Sequence, residues 1–276
     1  MHDVTSSTSL LRKKLGEQHA AQDPSARMYS ISKSMELKEI EAKKLDKEIA
    51  GAHAAIEEAR EKLVEKCKFR KDVALEIEKL KQEWGLSSNN FTILLPGRLT
   101  YWKGQEKFIE ALNILIEDYN ISNFQAVLVG SDQGRKVYTK KLLSLVERYS
   151  LTKKVKFFSH CKEMPLAYSL SDVVVSASIE PEAFGRVAVE SQAMGKPIIA
   201  SNIGGSKETV LNKKSGFLYK HDDPRELAKN LNTVIQLSQE ELKLMGNEGR
   251  KNITKKFDVE VMCDSNLREY KKLLKK

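Results

Sequence analysis

The stretch Glu180-Pro181-Glu182-Ala183-Phe184-Gly185-Arg186-Val187-Ala188-Val189-Glu190 places two carboxylates, Glu182 and Glu190, on either side of a glycine. Proline and glycine in its first half predict a loop. The small and apolar residues after Gly185 predict a helix that runs to about Gly195. A helix that starts at a glycine offers the N–H groups of its first turn to an anion or a hydroxyl. The junction therefore predicts a binding site.

Around this stretch, short β-rich runs alternate with helical patterns through residues 90–235. This alternation predicts an α/β fold, a single Rossmann-like domain with a doubly wound parallel sheet and helices on both faces. Residues 237–276 predict two further helices. The predicted strands are 92–95, 125–129, 155–158, 172–175, 197–200 and 216–219, and the predicted helices between them include 105–119, 136–149 and 185–194.

Four of the predicted strands are followed by loops of unusual composition. Because ligands of open α/β sheets bind at the carboxyl ends of the strands, we expect these loops to form one site. In chain order the loops are Gly97-Arg98 with Lys103-Gly104, then Gly130-Ser131-Asp132, then the stretch 180–185, and then 202–205.

The side chains of these loops suit a diphosphate flanked by sugars. Arg98 and Lys103 supply permanent positive charge, and Glu182 and Glu190 can each accept paired hydrogen bonds from vicinal hydroxyls. Each residue also has an ordinary interpretation, as a surface charge, a solvated helix carboxylate or, for Gly204-Gly205, a simple turn. Their ordered occurrence at one sheet edge favours the binding site.

At these residues the sequence resembles the C-terminal, donor-binding domain of the GT-B glycosyltransferases, specifically the large retaining group sometimes called family 4. The match runs from about Trp84 to the end of the chain. Its motifs are Glu182 and Glu190 eight residues apart, the loop from Gly97-Arg98 to Lys103-Gly104, and Gly204-Gly205 with Glu208.

The resemblance implies that the chain transfers a hexose from a nucleoside-diphosphate sugar to an envelope glycan or lipid, as in bacterial lipopolysaccharide synthesis. It implies no cofactor and no metal, because basic side chains and helix dipoles stabilise the leaving nucleotide. It also implies a role for each residue. Arg98 and Lys103, with Gly97, would bind the diphosphate, and Glu182 would be the catalytic residue at the transferred sugar. Phe184 and Gly185 would supply backbone amides, Glu190 would bind the ribose, and Gly204, Gly205 and Glu208 would take part in donor binding.

The first 85 residues differ from that family, whose N-terminal domain binds the acceptor and closes the cleft. Residues 1–34 are polar and aperiodic, which predicts disorder. Residues 35–85 carry no βαβ pattern and no glycine-rich loop. We therefore expect the acceptor domain to be missing from this sequence, and one hypothesis is that a separate chain supplies it.

Residues 35–85 predict a long amphipathic helix or a helical hairpin. Apolar residues recur at alternating steps of three and four, the pattern of a coiled-coil seam. Such a helix must fold back, pack on the next domain or pair with another chain. An alternative interpretation is that residues 73–84 form the helix that leads into the donor domain. The seam positions are Ala42, Leu45, Ile49, Ala52, Ile56, Ala59, Leu63, Val73, Ile77, Leu80 and Trp84, with Lys66 and Arg70 in two polar slots.

Composition limits the partners and the compartment. The net charge is +9, which suits phosphates or anionic headgroups, but basic and acidic residues are interspersed, so nucleic acid is the less favoured partner. Three widely spaced cysteines without a CxxC pair predict a reduced, cytoplasmic protein with at most peripheral membrane contact. The five histidines show no metal-ligand spacing.

Three other functions compete with glycosyl transfer. The chain is alternatively a non-catalytic interaction protein, in which a helix oligomerises and the α/β domain is a remnant. A related nucleotide-sugar epimerase would need acid and base residues across the cleft, which the sequence does not offer. A nicotinamide dehydrogenase is less favoured still, because no GxGxxG follows the first strand.

Overall fold

The structure is a computed structural model that describes residues 24–274. Helix α1 spans Pro24–Glu83 without interruption, so the described segment is one helix and not a hairpin. It begins earlier than the start near residue 35 that the sequence predicts, and residues 24–34 are helical where disorder is predicted. No proline or glycine occurs between positions 25 and 50, so nothing in this stretch breaks the helix. Residues 1–23 lie outside the described part.

The chain divides into two compact units, one ending at Lys71 and one beginning at Asp72. The second unit contains a sheet of six parallel strands in the order β3-β2-β1-β4-β5-β6. This is the doubly wound Rossmann-like fold that the alternation predicts. The strands are β1 (Phe91–Pro96), β2 (Phe124–Val129), β3 (Val155–Phe158), β4 (Val173–Ser176), β5 (Ile198–Ser201) and β6 (Gly216–Tyr219).

Eight helices follow or separate these strands in the described part of the second unit. They are α2 (Gln105–Glu117), α3 (Lys136–Arg148), α4 (Met164–Leu170), α5 (Arg186–Ala193), α6 (Ser206–Thr209), α7 (Pro224–Ile235), α8 (Gln239–Lys256) and α9 (Val259–Leu273). None of the helices in the described residues is both long and apolar enough to cross a membrane.

Apolar clusters lie on both faces of the sheet. On one face, α2, α3 and α7 pack against alternate residues of β1 and β2, with Phe108 and Leu231 fully buried. On the other face, α4 and α5 pack around Val174 and Ile198. The four central strands, β1, β2, β4 and β5, are buried on both sides and are mostly apolar, which explains why their positions are visible in the sequence.

The last turns of α1 belong to the second cluster. Ile77 and Leu80 pack against it, and Trp84, just after the helix, is only 4% exposed. The Trp84 ring stacks on Phe158 with the ring centroids 4.4 Å apart. Of the two interpretations of residues 73–84, the structure supports the helix that leads into the domain, because these three seam positions are occupied by intramolecular packing.

The sheet order creates a crevice between β1 and β4. The chain continues from β1 to β2 on one side and from β4 to β5 on the other, so β1 and β4 are neighbours whose following loops diverge. Ligands of open α/β sheets bind at this topological switch point, outside the carboxyl ends of the strands.

Candidate active site

A cavity of about 510 Å³ lies at this switch point. The loop after β1, the loop after β4 and the start of α5 form most of its wall. Seven of the residues that the sequence predicts to bind the donor line it: Gly97, Arg98, Lys103, Glu182, Phe184, Gly185 and Glu190. The rest of its lining is Pro96, Trp102, Val129, Gly130, Met164, Tyr168, Ala183, Arg186 and Val187.

Lys103 and Glu182 form an ion pair in the cavity wall. The Lys103 Nζ lies 2.7 Å from Glu182 Oε1, and the side chains are 13% and 16% exposed. The Ser178 hydroxyl donates to the same carboxylate oxygen. Because both charges are mostly shielded from water, each one depends on the other to offset its loss of hydration. The pair fixes a cation and a carboxylate side by side, facing one cavity.

Arg98 places a second cation at the cavity. Its guanidinium carbon lies 5.8 Å from the centroid of the Trp102 ring, and Lys103 Nζ lies 4.5 Å from the same centroid. The indole ring thus contacts both cations and holds them in position. Within the described part of the chain Arg98 forms no ion pair, so its charge remains available to an anion.

Glu190 is oriented by two neighbours. The Tyr168 hydroxyl donates to Oε2 at 2.8 Å, and the Arg186 guanidinium donates to Oε1 at 2.9 Å. Burial, together with the negative charge of Glu190, holds the pKa of Tyr168 well above its usual value. Tyr168 therefore stays protonated at physiological pH and remains a hydrogen-bond donor to the carboxylate.

The loop that carries Glu182 turns into α5 at Gly185, whose φ of +75° is in the left-handed region that favours glycine. The first residues of α5, Arg186 and Val187, line the cavity. N–H groups in the first turn of a helix have no intrahelical acceptor, so this helix start suits an anion.

Gly204 and Gly205 support this loop and do not line the cavity. The Gly205 N–H donates to the Glu182 carbonyl oxygen at 2.8 Å. A Cβ on Gly205 would overlap the Phe184 carbonyl, so only glycine allows this close approach. Glu208 is exposed on α6 and does not line the cavity either.

Four residues that the sequence analysis did not select also belong to the site. Arg186 lies four positions before Glu190 on α5, a helical spacing that could have indicated it. Ser178 lies in the loop before Glu182, where no such spacing rule applies. Trp102 lies between Arg98 and Lys103 in the same loop. No sequence pattern indicated Tyr168, because it lies on α4, a seven-residue helix that is not among the predicted helices.

The residues that the structure describes contain no group of three or more His, Cys, Asp or Glu side chains that could hold a metal ion. The polar groups that line the cavity are three cations, Arg98, Lys103 and Arg186, with the two carboxylates, the Tyr168 hydroxyl and the first turn of α5.

A family model described as "Glycosyl transferases group 1" matches residues 76–252. In a crystal structure of a glycosyltransferase from Rickettsia africae ESF-5, the matching part is 33% identical, with a TM-score of 0.68, and covers 72% of this chain and 52% of the other. The Anabaena protein Alr3699/HepE, crystallised in complex with UDP and glucose, is 33% identical with a TM-score of 0.64, over 70% of this chain and 51% of its own.

Among curated proteins, the spore coat protein SA of Bacillus subtilis (strain 168) is 29% identical over 200 residues. The alignment covers 71% of this chain and 52% of that protein. The chain spans about half the length of the curated relatives it matches. The similarity is therefore to one half of longer proteins.

Proposed function

Since this chain belongs to the group 1 glycosyl transferases, we propose that its cavity between β1 and β4 binds a nucleoside-diphosphate sugar and that the protein transfers the hexose of this donor. One observation carries the proposal: three cations and two carboxylates from three separate segments line a single cavity at the switch point of the sheet. The complex of the Anabaena protein with UDP and glucose supports the same class of ligand.

In the proposed complex, Arg98 and Lys103 bind the diphosphate. Guanidinium and ammonium groups form strong charge-assisted hydrogen bonds to phosphate oxygens. The first turn of α5 adds N–H groups and the positive end of the helix dipole. As the bond to the sugar breaks, negative charge develops on the leaving diphosphate, and these groups stabilise it without a metal ion.

Glu190 is the proposed ribose ligand. Its two oxygens already accept three hydrogen bonds, one from Tyr168 and two from Arg186. A carboxylate offers about four lone-pair sites, so one ribose hydroxyl can be added directly and a second would replace a bond from Arg186. The two neighbours fix the rotamer before the ligand arrives, which lowers the entropic cost of binding.

Glu182 is the proposed catalytic residue at the transferred sugar, with Phe184 and Gly185 contributing backbone amides. Its pairing with Lys103 holds the carboxylate next to the group that would bind the diphosphate. We propose that transfer proceeds with retention of configuration at the anomeric carbon, and that Gly204, Gly205 and Glu208 contribute by supporting the loop rather than by touching the donor.

The acceptor is proposed to be an envelope glycan or a lipid, with lipopolysaccharide-type synthesis as the setting. We place the protein in the cytoplasm, with at most peripheral contact to the membrane.

A second candidate is a non-catalytic interaction protein. It is favoured by the exposed aliphatic side chains of α1, among them Leu45, Ile49 and Ile56. In that case the helix would oligomerise and the cavity would be vestigial.

Thermal unfolding with UDP-, GDP- and ADP-sugars tests the donor site. A ligand at a hundred times its dissociation constant should add about 2.7 kcal/mol, or several degrees in Tm. We expect a shift with one nucleotide that is lost in both Arg98→Ala and Glu190→Ala. The matched controls are Arg148→Ala and Glu147→Ala, exposed residues at the end of α3 and outside the cavity. Binding that persists in both cavity variants would refute the site; no shift with any donor would favour the interaction protein.

A further inference from the structure

An aliphatic stripe on α1 is uncovered along the part of the helix that precedes residue 72. Leu45, Ile49 and Ile56 are 56%, 46% and 61% exposed, and Met35 is 66% exposed. These positions follow the alternating steps of three and four of a coiled-coil seam. In proteins, most of the stability of a helix comes from the packing of its apolar face against a neighbour. A helix of this length therefore needs a partner along this stripe.

The spacing assigns heptad positions to the stripe. Met35, Ala42, Ile49, Ile56 and Leu63 are at position a, and Lys38, Leu45, Ala52 and Ala59 are at position d. The positions that flank the seam, e and g, carry charges of both signs, namely Glu39, Glu41, Asp46, Glu48, Arg60 and Lys62, as well as His53. Flanking charges select the partner and the orientation of a coiled coil.

A parallel pair of two copies does not fit these charges. In a parallel dimer each g residue faces the e residue five positions later in the other copy. Glu41 would then face Asp46 of the second copy, and this like-charge contact would occur twice in the symmetric dimer. No salt bridge compensates for it, since Glu48 would face His53 and Lys62 would face Cys67.

An antiparallel pair fits both the seam and the charges. With the two-fold axis between Ala50 and Gly51, the seam layers are Ile56 on Leu45, Ile49 on Ala52 and Ala42 on Ala59 of the second copy. The alanines in two of these layers let the helices approach closely, and Lys38 faces Leu63 at each end of the seam. The charged flanking pairs then become Glu41 with Lys62 and Glu39 with Arg60, each of them repeated by symmetry.

We propose that two copies of this chain associate through an antiparallel coiled coil formed by residues 38–63 of α1. Some of the flanking charges form ion pairs within their own helix, but these pairs do not prevent the contacts between copies. Lys43 and Glu39, for example, are 76% and 70% exposed in their side chains, so their pairing is weak and easily exchanged for a contact between copies. The dimer is independent of the donor site, which lies wholly in the other unit.

Disulfide trapping between two variants tests the orientation. Ala42→Cys and Ala59→Cys are made separately in the full chain, with the native Cys67, Cys161 and Cys263 replaced by serine. We expect a covalent dimer only when the two variants are mixed, because these two positions face each other in the antiparallel register. Positions 42 of the two copies would lie about 25 Å apart, so Ala42→Cys alone should not form the disulfide. A covalent dimer from Ala42→Cys alone would overturn the proposal, as would a monomer in sedimentation at tens of micromolar.

Charge exchange gives a second test that needs no disulfide. Glu41→Lys should weaken dimerisation by roughly tenfold, since two attractive contacts with Lys62 become repulsive. The double variant Glu41→Lys/Lys62→Glu should restore the native dissociation constant. Lys44→Glu, at an outward position of the same helix, is the control and should have no effect. Tighter association of Glu41→Lys would indicate a parallel dimer and refute the inference, because Asp46 would then face a lysine.

Discussion

The ion pair of Lys103 and Glu182 has a structural role and a proposed role in ligand binding. They stabilise the cavity wall, because neither charge is well solvated, and they are the proposed contacts to the diphosphate and to the transferred sugar. The two residues are 79 positions apart in the chain and meet because β1 and β4 are neighbours in the sheet. Substitutions can separate the structural task from the binding task.

Lys103→Met should lower both stability and donor affinity. It leaves the Glu182 carboxylate in a mostly shielded position without its cation, which should cost about 1–3 kcal/mol of unfolding free energy. It also removes a charge-assisted contact to the diphosphate, so the dissociation constant should rise roughly tenfold to a hundredfold. Thermal unfolding and titration calorimetry measure the two effects.

The double variant Lys103→Met/Glu182→Gln is the matched control. Removing the unpaired charge should recover most of the lost stability, while donor binding should stay weak. If the double variant were as unstable as the sum of the two single variants, the ion pair would not be the source of the stability.

At the scale of elements, the loop that carries Glu182 depends on the turn between β5 and α6. The Gly205 N–H holds the loop through the Glu182 carbonyl, and the absence of a side chain on Gly205 allows the Phe184 carbonyl to come close. The turn therefore controls the position of the proposed catalytic residue without lining the cavity.

Gly205→Ala should displace this loop. The added methyl group overlaps the Phe184 carbonyl, and such overpacking typically costs about 1–3 kcal/mol. We expect a lower Tm and a weakened thermal shift with the donor sugar. The comparison variant is Gly51→Ala in α1, where no atom lies near the added methyl group and alanine should stabilise the helix by about 0.5–1 kcal/mol. An unchanged donor affinity in Gly205→Ala would show that the turn does not position the loop.

Helix α8 supports the Glu190 end of the cavity, because Gly249 packs against Gln192 of α5, the helix that carries Glu190. A capping box starts α8: Ser238 Oγ accepts from the Glu241 N–H at 3.3 Å, and the Glu241 carboxylate accepts from the Ser238 N–H at 2.8 Å. Hydrogen bonds from Ser238 hold the pKa of Glu241 below its usual value of 4.5.

Ser238→Ala should therefore show a pH-dependent loss of stability. The folded pKa of Glu241 is depressed, so its contribution is complete above the ordinary value and is lost as the pH falls through the folded pKa. At about pH 7 the loss of the cap should cost about 1 kcal/mol. The difference in Tm between the variant and the native protein should narrow below about pH 4.5. A difference that stays constant from about pH 7 to pH 3 would show that Glu241 does not contribute through its charge.

The strands and the cavity residues could be predicted from the sequence to different extents. The strands were predictable almost to the residue, for example 155–158 and 216–219, because each is a short β-rich run between turn residues. The residues of the cavity could be chosen because each follows a strand. The contact of Tyr168 with Glu190 could not be predicted, since it depends on how α4 packs beside α5 and leaves no local pattern in the chain.

At the scale of the whole molecule, the second unit contains everything that the donor site needs. Both apolar clusters, the six-stranded sheet and every residue of the cavity lie after residue 71, and the last turns of α1 are part of this unit. The boundary between the units therefore falls inside a helix, and the position of a truncation within α1 should decide whether the domain folds.

A chain that begins at Asp72 should fold with the Tm of the corresponding transition in the full chain and bind the donor with the same dissociation constant. A chain that begins at Leu86 lacks Ile77, Leu80 and Trp84, which cover the second cluster and Phe158. Removing the buried Trp84 alone should cost at least about 3 kcal/mol, so this shorter chain should unfold at a clearly lower temperature. Scanning calorimetry of the two truncations measures the difference. Equal stability would mean that the final turns of α1 only lie on the domain, whereas failure of both truncations would show that residues before 72 help to stabilise the sheet.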